Sequence, residues 1–323
     1  MRYNRNWNNA SFIEIFLHGI IMGSINKLPG ISGGLYSLII GFYNHLMQSI
    51  KSLNYKNFIV LKNNGSKEFM RNINGYFLLV ISFGMIMSYF STSKILDYFL
   101  MKNELHVWSI FFGLITGSLY ILIKRMKKTD KKNISFLLMG LLFGIFISLS
   151  EPLYENRNLF FIFFCGFISV CGITIPGLSG SFLLILLGNY KLLLVDSVNN
   201  FYNLVSNLFY STDKKLVVEY ELINILLIFF IGSVLGLIIL SKFLSYLTKK
   251  YPIQLDHLII GFVTGTLSIV WPWNQIQNST DQIIINNYTN YFAILLILLG
   301  LILTIIINNY VDKKNIRTNR KKY

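Results

Sequence analysis

Two copies of one motif decide the fold of this 323-residue chain. The first copy is NKLPGISGGLYSLIIGFY, Asn26–Tyr43, and the second is ITIPGLSGSFLLILLGNY, Ile173–Tyr190. A shift of 147 residues aligns six identities between the two copies. The identical pairs are Pro29 and Pro176, Gly30 and Gly177, Ser32 and Ser179, Gly33 and Gly180, Gly41 and Gly188, and Tyr43 and Tyr190. Six identities in one register indicate an internal repeat, the feature to look for before any other.

The composition is that of a membrane protein. Hydrophobic residues make up 54% of the chain and charged residues 13%, whereas a soluble domain is about one quarter charged. Several apolar runs approach the roughly 20 residues that a helix needs to cross a bilayer. These runs are Tyr76–Phe90, Ile134–Leu149, Ile223–Leu240 and Tyr291–Ile307. The composition therefore predicts an all-α integral membrane protein with many crossings.

The distribution of Lys and Arg predicts how the chain crosses the membrane. If the motif-bearing blocks 11–50 and 159–195 each enter the membrane and return, the polar segments fall on two sides of it. One side then carries 22 Lys and Arg residues and the other carries 6, and the basic side is expected to be cytoplasmic. The cytoplasmic set is the N-terminus, 51–74, 124–133, 242–257 and the tail after 311. Both termini are therefore predicted to be cytoplasmic.

This distribution of Lys and Arg predicts an inverted-topology repeat. Each half is one broken or re-entrant helical hairpin, which returns to its own side, plus three transmembrane helices. Because three crossings are an odd number, the second half enters the membrane from the opposite side. The halves also match outside the motif, because GFVTGTL at Gly261–Leu267 aligns with GLITGSL at Gly113–Leu119. We predict a first membrane repeat at 10–150, a second at 158–310 and a basic cytoplasmic tail at 311–323. Inverted repeats are typical of secondary transporters; the alternative is an ordinary bundle whose repeat reflects gene duplication alone.

The motif itself predicts a break in a helix and an anion site. Pro cannot continue a helix, and the Gly that follows it accepts backbone dihedrals that other residues avoid. Ser32 and Ser179 then stand where the N-cap of the next helix belongs. Amides freed at such a break must face protein or a wet cavity, and helix N-termini and Gly-rich turns favour phosphate. Two such loops, brought together by a pseudo-twofold axis, would form one site.

The predicted substrate-binding residues come from the two copies and their flanks. Gly33, Gly34 and Gly180 are expected to leave room for a head group against the backbone. The alternative is that these residues only let helices pack closely, which is the interpretation we favour for Gly41 and Gly188. The complete predicted set is Asn26, Lys27, Pro29, Gly30, Ser32, Gly33, Gly34, Pro176, Gly177, Ser179, Gly180 and Ser181.

Three ionisable residues within the first apolar block are candidates for function. Glu14 and His18 are four residues apart, so on a helix they share a face and could exchange a proton near neutral pH. The alternative is a pair at a helix end near the interface. Lys27 adjoins the motif and could meet a phosphate as a point charge, or it could reach along the surface to the cytoplasmic side.

The motif copies resemble a known family. PGISGG and PGLSGS, with GFY, LGNY and the later WPW at Trp271–Trp273, are similar to bacterial polyprenyl-phosphate transporters of the PopT type. The resemblance spans nearly the whole chain. It implies recycling of undecaprenyl phosphate, an anionic lipid that carries cell-wall precursors, across the bacterial cytoplasmic membrane from the outer to the inner leaflet.

Individual positions agree with that family or depart from it. Its members tend to have Asp or Asn where Asn26 stands, and often a basic residue where this chain has His18. They usually have Glu straight after the Tyr of each copy, whereas this chain has Asn44 and Lys191. If those acids carry coupling protons in relatives, this chain is expected to couple differently or to run downhill.

A second class of protein remains an alternative. Membrane-embedded undecaprenyl-pyrophosphate phosphatases also have inverted repeats and a Pro-Gly-x-Ser motif, but they need acidic residues and an Arg beside the Ser. Here Gly follows both Ser32 and Ser179, and phosphoryl transfer without a charge clamp or a metal is implausible. We therefore predict no enzyme and no catalytic residues.

The spacing of Cys165 and Cys171 and the scattered His residues predict no metal site and no cofactor. No nucleic-acid partner and no particular oligomeric state are predicted.

Overall fold

A computed structural model describes residue 7 and residues 10–126, 131–149, 154–174, 178–209, 216–275 and 287–320. Within these ranges every regular element is a helix and none is a strand, so the all-α prediction is confirmed. The α-helices of the part before the second motif copy are α1 (Phe12–Lys27), α2 (Gly33–Ile40), α3 (Tyr43–Ser52), α4 (Tyr55–Asn64), α5 (Ser66–Asn72), α6 (Gly75–Lys102), α7 (Glu104–Arg125), α8 (Lys131–Leu149) and α9 (Leu159–Ser169).

The second copy and the C-terminal part continue the same pattern. They contain α10 (Cys171–Thr174), α11 (Gly180–Leu186), a π-helical segment (Leu192–Asp196), α12 (Ser197–Phe209), α13 (Tyr220–Lys250), α14 (Pro252–Gly265), a 3₁₀ turn (Pro272–Asn274) and α15 (Asn287–Arg320). Among the described residues, four helical stretches are long and apolar enough to cross a bilayer. They are Gly75–Lys102, Glu104–Lys124, Tyr220–Leu240 and Asn290–Asn309.

Both copies of the motif break a helix, as predicted. In the first copy α1 ends at Lys27, Pro29 and Gly30 form a turn, and α2 begins straight after Ser32. In the second copy α11 begins straight after Ser179. Because Pro fixes its own backbone and cannot donate an amide hydrogen, a helix that reaches it has to end.

The short helices after the two breaks end in the same way. In α2 the amide of Phe42 donates to the Ser37 carbonyl, and in α11 the amide of Asn189 donates to the Leu184 carbonyl. These bonds span five residues, as in a Schellman motif, which places a left-handed residue just after the helix. That residue is Gly in both copies. The local fold of the two copies therefore matches at its end as well as at its start.

The packing interpretation of Gly41 is wrong. Its φ is +98°, and a Cβ atom built on it would have no neighbour within 4 Å. Gly188, its counterpart, has a φ of +71°. Glycine is needed at these positions because the chain turns through the left-handed region, which side chains disfavour, rather than because another helix approaches Gly41.

By contacts, the chain forms two compact units. The first unit comprises Met1–Ile25, Gly33–Ser91 and Asn309–Tyr323, and the second comprises Asn26–Ser32 and Thr92–Asn308. This division follows packing rather than sequence similarity, so the repeat boundaries at 10–150 and 158–310 stay a prediction. The core of the first unit is built from apolar side chains of α1, α3 and α6 with Trp7 and Phe42.

Glycines in each sequence half bring helices into contact at equivalent positions. Gly19 of α1 lies against the Ile81 carbonyl of α6, and Gly166 of α9 lies against the Phe229 carbonyl of α13. The positions in each pair differ by 147 or 148 residues. The reverse contacts also match, since Gly84 lies against the Phe16 carbonyl and Gly232 against the Phe163 carbonyl. Small residues at these positions allow the close approach of backbones that is common between membrane helices.

A second pair of helix contacts, inside the second unit, is also made at glycines. Gly113 of α7 lies against the Ile297 carbonyl of α15, and Gly261 of α14 lies against the Leu137 carbonyl of α8. Thus α7 of the first sequence half packs on a helix of the second half, and α14 of the second half packs on a helix of the first.

Candidate functional site

Ser179 joins the second copy of the motif to the first. Its hydroxyl oxygen accepts a hydrogen bond from the Phe182 amide at 3.2 Å and another from the Gly30 amide at 2.9 Å. The first bond is the predicted N-cap of α11, which is confirmed. Ser181 adds a further link, because its hydroxyl donates to the Leu28 carbonyl at 3.1 Å. The segment Asn26–Ser32 and the start of α11 therefore meet.

Only glycine fits at position 30. Its φ is +86°, and a Cβ atom there would lie 2.6 Å from the carbonyl oxygen of Leu114 in α7. Both facts exclude a side chain, since the left-handed region strains other residues and a backbone carbonyl cannot rotate aside like a flexible side chain. The close approach holds the Pro-Gly turn directly against α7.

Two groups expected to cradle a phosphate are engaged by the protein itself. The Gly30 amide, a predicted anion donor, donates to Ser179. A Cβ atom at Gly180 would collide with the Ser169 carbonyl, so the space beside that Cα is already filled. Their role in holding a head group stays a prediction, and Pro176 and Gly177 lie outside the described residues.

Lys27 is anchored inside the second unit. Its side chain is fully buried, and its ammonium donates to the Leu194 carbonyl at 2.6 Å. The backbone carbonyl of the same residue, at the end of α1, accepts a hydrogen bond from the Tyr190 hydroxyl at 3.0 Å. The alternative in which Lys27 reaches along the surface is therefore wrong. A basic side chain therefore stands in the protein interior beside the second motif copy.

The carbonyl that receives Lys27 belongs to the π-helical segment Leu192–Asp196. Ser93 of α6 donates to the Leu194 carbonyl at 3.2 Å and to the Val195 carbonyl at 3.0 Å. A π-helical turn shifts the usual hydrogen-bond register, and such turns are frequent at functional sites. Here the turn supplies acceptors to the ammonium of Lys27 and the hydroxyl of Ser93.

The end of the π-helical segment is acidic and ionisable near neutral pH. Burial raises the pKa of Asp196 to about 6; the nearby cations Lys191 and Arg157 lower it, and the carboxylates Asp97 and Glu155 raise it. The charged form is the one that burial disfavours. This carboxyl is therefore partly protonated near pH 6, where an exposed aspartate is ionised.

The other predicted residues occupy different places. Asn26 and Ser32 are half-buried, and Gly33 and Gly34 form the first turn of α2. In the first unit, His18 shares a hydrogen bond of 2.7 Å with the Tyr36 hydroxyl. The proton relay between His18 and Glu14 stays a prediction.

Sequence reasoning missed three contributors to this site: Ser93, Tyr190 and the carbonyl of Leu194. Tyr190 carried a usable signal, because it is one of the six residues that the two copies share. Leu194 acts through its backbone, which the identity of a side chain does not reveal. Ser93 binds from a helix about 100 residues away, and no local pattern indicates that contact.

The fold and the joined motif copies define a polytopic helical membrane protein with a helix break in each motif copy. The chain belongs to the VCA0040-like family, described as undecaprenyl phosphate translocase-like, whose model matches residues 22–288. It is 30% identical to a polyprenyl-phosphate transporter of Vibrio cholerae over 278 residues, 84% of this chain and 83% of that protein. It is 28% identical to a polyprenyl-phosphate transporter of Staphylococcus aureus over 268 residues, 79% of this chain and 85% of that protein. No solved structure matches the chain significantly.

Proposed function

We propose that this protein carries undecaprenyl phosphate across the bacterial cytoplasmic membrane and returns the lipid carrier to the inner leaflet for cell-envelope synthesis. The observation that carries the proposal is membership, over residues 22–288, of a family described as undecaprenyl phosphate translocase-like. Chemistry supports it too. A lipid phosphate needs a basic group within an apolar protein, and Lys27 is a buried basic side chain beside the second motif copy.

We further propose that the architecture is an inverted-topology repeat at 10–150 and 158–310, with both termini and the basic tail 311–323 in the cytoplasm. Two observations support this. The helix contacts of Gly19 and Gly166 are equivalent, and so are those of Gly113 and Gly261. In such transporters the substrate site lies where the broken helices of the two halves meet.

The topology is testable with single cysteines in a variant that lacks Cys165 and Cys171. We expect an impermeant maleimide to label a cysteine in 271–290 on intact cells and to spare cysteines in 51–74 and 124–133. The reason is the excess of Lys and Arg in the latter segments. Permeabilised cells provide the control, since every position should then react. External labelling of 124–133 with protection of 271–290 would contradict the inverted repeat.

We propose that the protein is not an enzyme. A lipid pyrophosphatase is the alternative, and it needs acidic groups and a cation around a nucleophilic Ser. Ser179 is instead an N-cap that accepts two amide hydrogen bonds. Both of these bonds hold backbone in place, and Gly follows Ser179 in the sequence.

Transport is tested by reconstituting the purified protein into liposomes with labelled undecaprenyl phosphate and measuring the amount in each leaflet. We expect the label to equilibrate faster than in empty liposomes, and Ser32→Ala to slow it about tenfold or more if its hydroxyl bonds the phosphate. Ser91→Ala is the control, because that exposed hydroxyl bonds only local carbonyls. Release of phosphate from undecaprenyl pyrophosphate, without any movement of the monophosphate, would replace the transporter with the phosphatase.

A further inference from the structure

An apolar cavity of about 510 Å³ lies in the second unit, among α6, α7 and α15. Its walls are mostly apolar side chains, including Phe111, Phe292 and Leu296. Phe292 is 49% exposed, so part of this wall is at the protein surface. Cavities of this size and character typically hold small ligands or parts of larger ones.

One end of the cavity is at the joined motif copies. Leu28 lines it, and the carbonyl of the same residue accepts the hydrogen bond from Ser181. Phe111 also lines it and packs edge-on against Tyr190, whose hydroxyl binds the carbonyl of Lys27. The cavity wall and the candidate site thus share residues.

The other end is polar. Lys102 and Asn103, at the junction of α6 and α7, also line the cavity. The Lys102 ammonium lies 5.8 Å from the centre of the Tyr98 ring, and the part of the chain that the structure describes offers it no carboxylate within ion-pair distance. Asn103 uses its side-chain oxygen to cap α7 at the His106 amide, which leaves its NH₂ group as a donor for a ligand.

We propose that this cavity is the loading site for a polyisoprenyl phosphate, with the phosphate at Lys102 and Asn103 and the first isoprenoid units along the apolar wall toward Leu28. The proposal rests on the proposed function and on the predicted orientation. In that orientation the junction of α6 and α7 is not among the cytoplasmic segments and therefore lies outside. It identifies a chain-binding site that adjoins the Pro-Gly turn and shares Leu28 with the first motif copy.

The dimensions agree with a lipid in the outer leaflet. From Asn103 to Phe111 the helix rises about 12 Å, which is close to half of a hydrocarbon core about 30 Å thick. A phosphate at the helix end would therefore stand at the membrane surface while its chain extends to about mid-bilayer. Charge is complementary as well, because a lysine ammonium at the polar rim faces an anionic head group.

Two neighbouring leucines of α15 provide a matched test. Leu296 lines the cavity, whereas Leu295 is 55% exposed and does not. A photoreactive undecaprenyl phosphate, bound to the purified protein in nanodiscs, should label Leu296→Trp at most a tenth as strongly as the wild type and label Leu295→Trp normally. Lys102→Gln should weaken labelling about tenfold, while Lys250→Gln, also a lysine beside tyrosine rings, should not.

The competitors and the transport assay separate the outcomes. Unlabelled undecaprenyl phosphate should compete for labelling, and phosphatidylglycerol and inorganic phosphate should not. If Lys102→Gln and Leu296→Trp are labelled like the wild type while the wild type moves lipid in liposomes, the cavity is not the loading site and the proposed function stands. Equal competition by phosphatidylglycerol also overturns the site. A wild type that neither binds nor moves the lipid overturns the proposed function itself. Lys102 is exposed, so its variant keeps the test decisive even if the tryptophan variant misfolds.

Discussion

Lys27→Met is expected to fold and to lose undecaprenyl phosphate transport by about 100-fold or more. Methionine keeps most of the length of the side chain and removes its amino group. An ammonium that pairs with a phosphate in a desolvated site contributes about 3 kcal/mol or more, and each 1.4 kcal/mol is about tenfold in affinity. The rate of leaflet exchange in liposomes measures the loss, and thermal melting in detergent measures the stability.

The stability of Lys27→Met shows whether the Lys27 side chain binds the substrate or only stabilises the fold. Burying a charge is unfavourable, so its replacement by an apolar side chain of similar volume is often neutral or stabilising. The Leu194 carbonyl would also keep the hydrogen bond from Ser93. A folded variant without transport therefore indicates that the ammonium acts on the substrate.

Ser93→Ala is the matched control. It removes the other donor to the Leu194 carbonyl without changing any charge, so its transport should stay within a few-fold of the wild type. Lys27→Arg should recover little, because a planar guanidinium does not replace a compact ammonium in a closed site. Transport by Lys27→Met at the wild-type rate would assign Lys27 a structural role only.

The helical breaks were predictable because their causes are local. Pro29 ends the helix that leads into it. Ser179 caps the next helix by accepting a hydrogen bond from the amide of Phe182, three positions on. The membrane character followed from composition, and the repeat from residue identities. These features depend on chemistry that one short segment contains.

The rest of the site depends on contacts between residues that are far apart in the sequence. The ammonium of Lys27 binds a carbonyl 167 residues away, and the Gly30 amide binds a hydroxyl 149 residues away. The sequence predicted that the two motif copies would meet, because they are equivalent, but it gave no sign that they would satisfy each other's backbone groups. An amide that a pattern marks as a phosphate donor can already be bound within the protein.

Gly41 shows the same limit in another form. Small residues in a membrane sequence suggest close packing of helices. The structure shows such packing at Gly19 and Gly166 but not at Gly41, where it was predicted. What distinguishes them is the backbone dihedral, since Gly41 ends a helix and the other two lie within one. The same residue type is therefore required for two different physical reasons, close helix packing and a left-handed backbone.

Gly30→Ala is expected to destabilise the protein by about 2–5 kcal/mol. Two terms add: the left-handed backbone strains alanine by about 1–2 kcal/mol, and overpacking against a fixed neighbour adds about 1–3 kcal/mol. The neighbour is the Leu114 carbonyl, 2.6 Å from the new Cβ atom, together with the amide of Ile115 at 2.9 Å. Because both are backbone atoms of α7, the turn has to move away from that helix.

Gly41→Ala tests the effect of backbone strain without a steric collision. Its φ of +98° strains alanine in the same way, but no atom lies within 4 Å of the added Cβ. We therefore expect a loss of only about 1–2 kcal/mol, seen as a small decrease in the melting temperature in detergent. Gly30→Ala should melt far lower or fail to accumulate in the membrane. Moving the turn also removes the Gly30 amide from the Ser179 hydroxyl and leaves that amide to find a new partner. Equal melting temperatures for the two variants would mean that the Pro-Gly turn does not rest against α7.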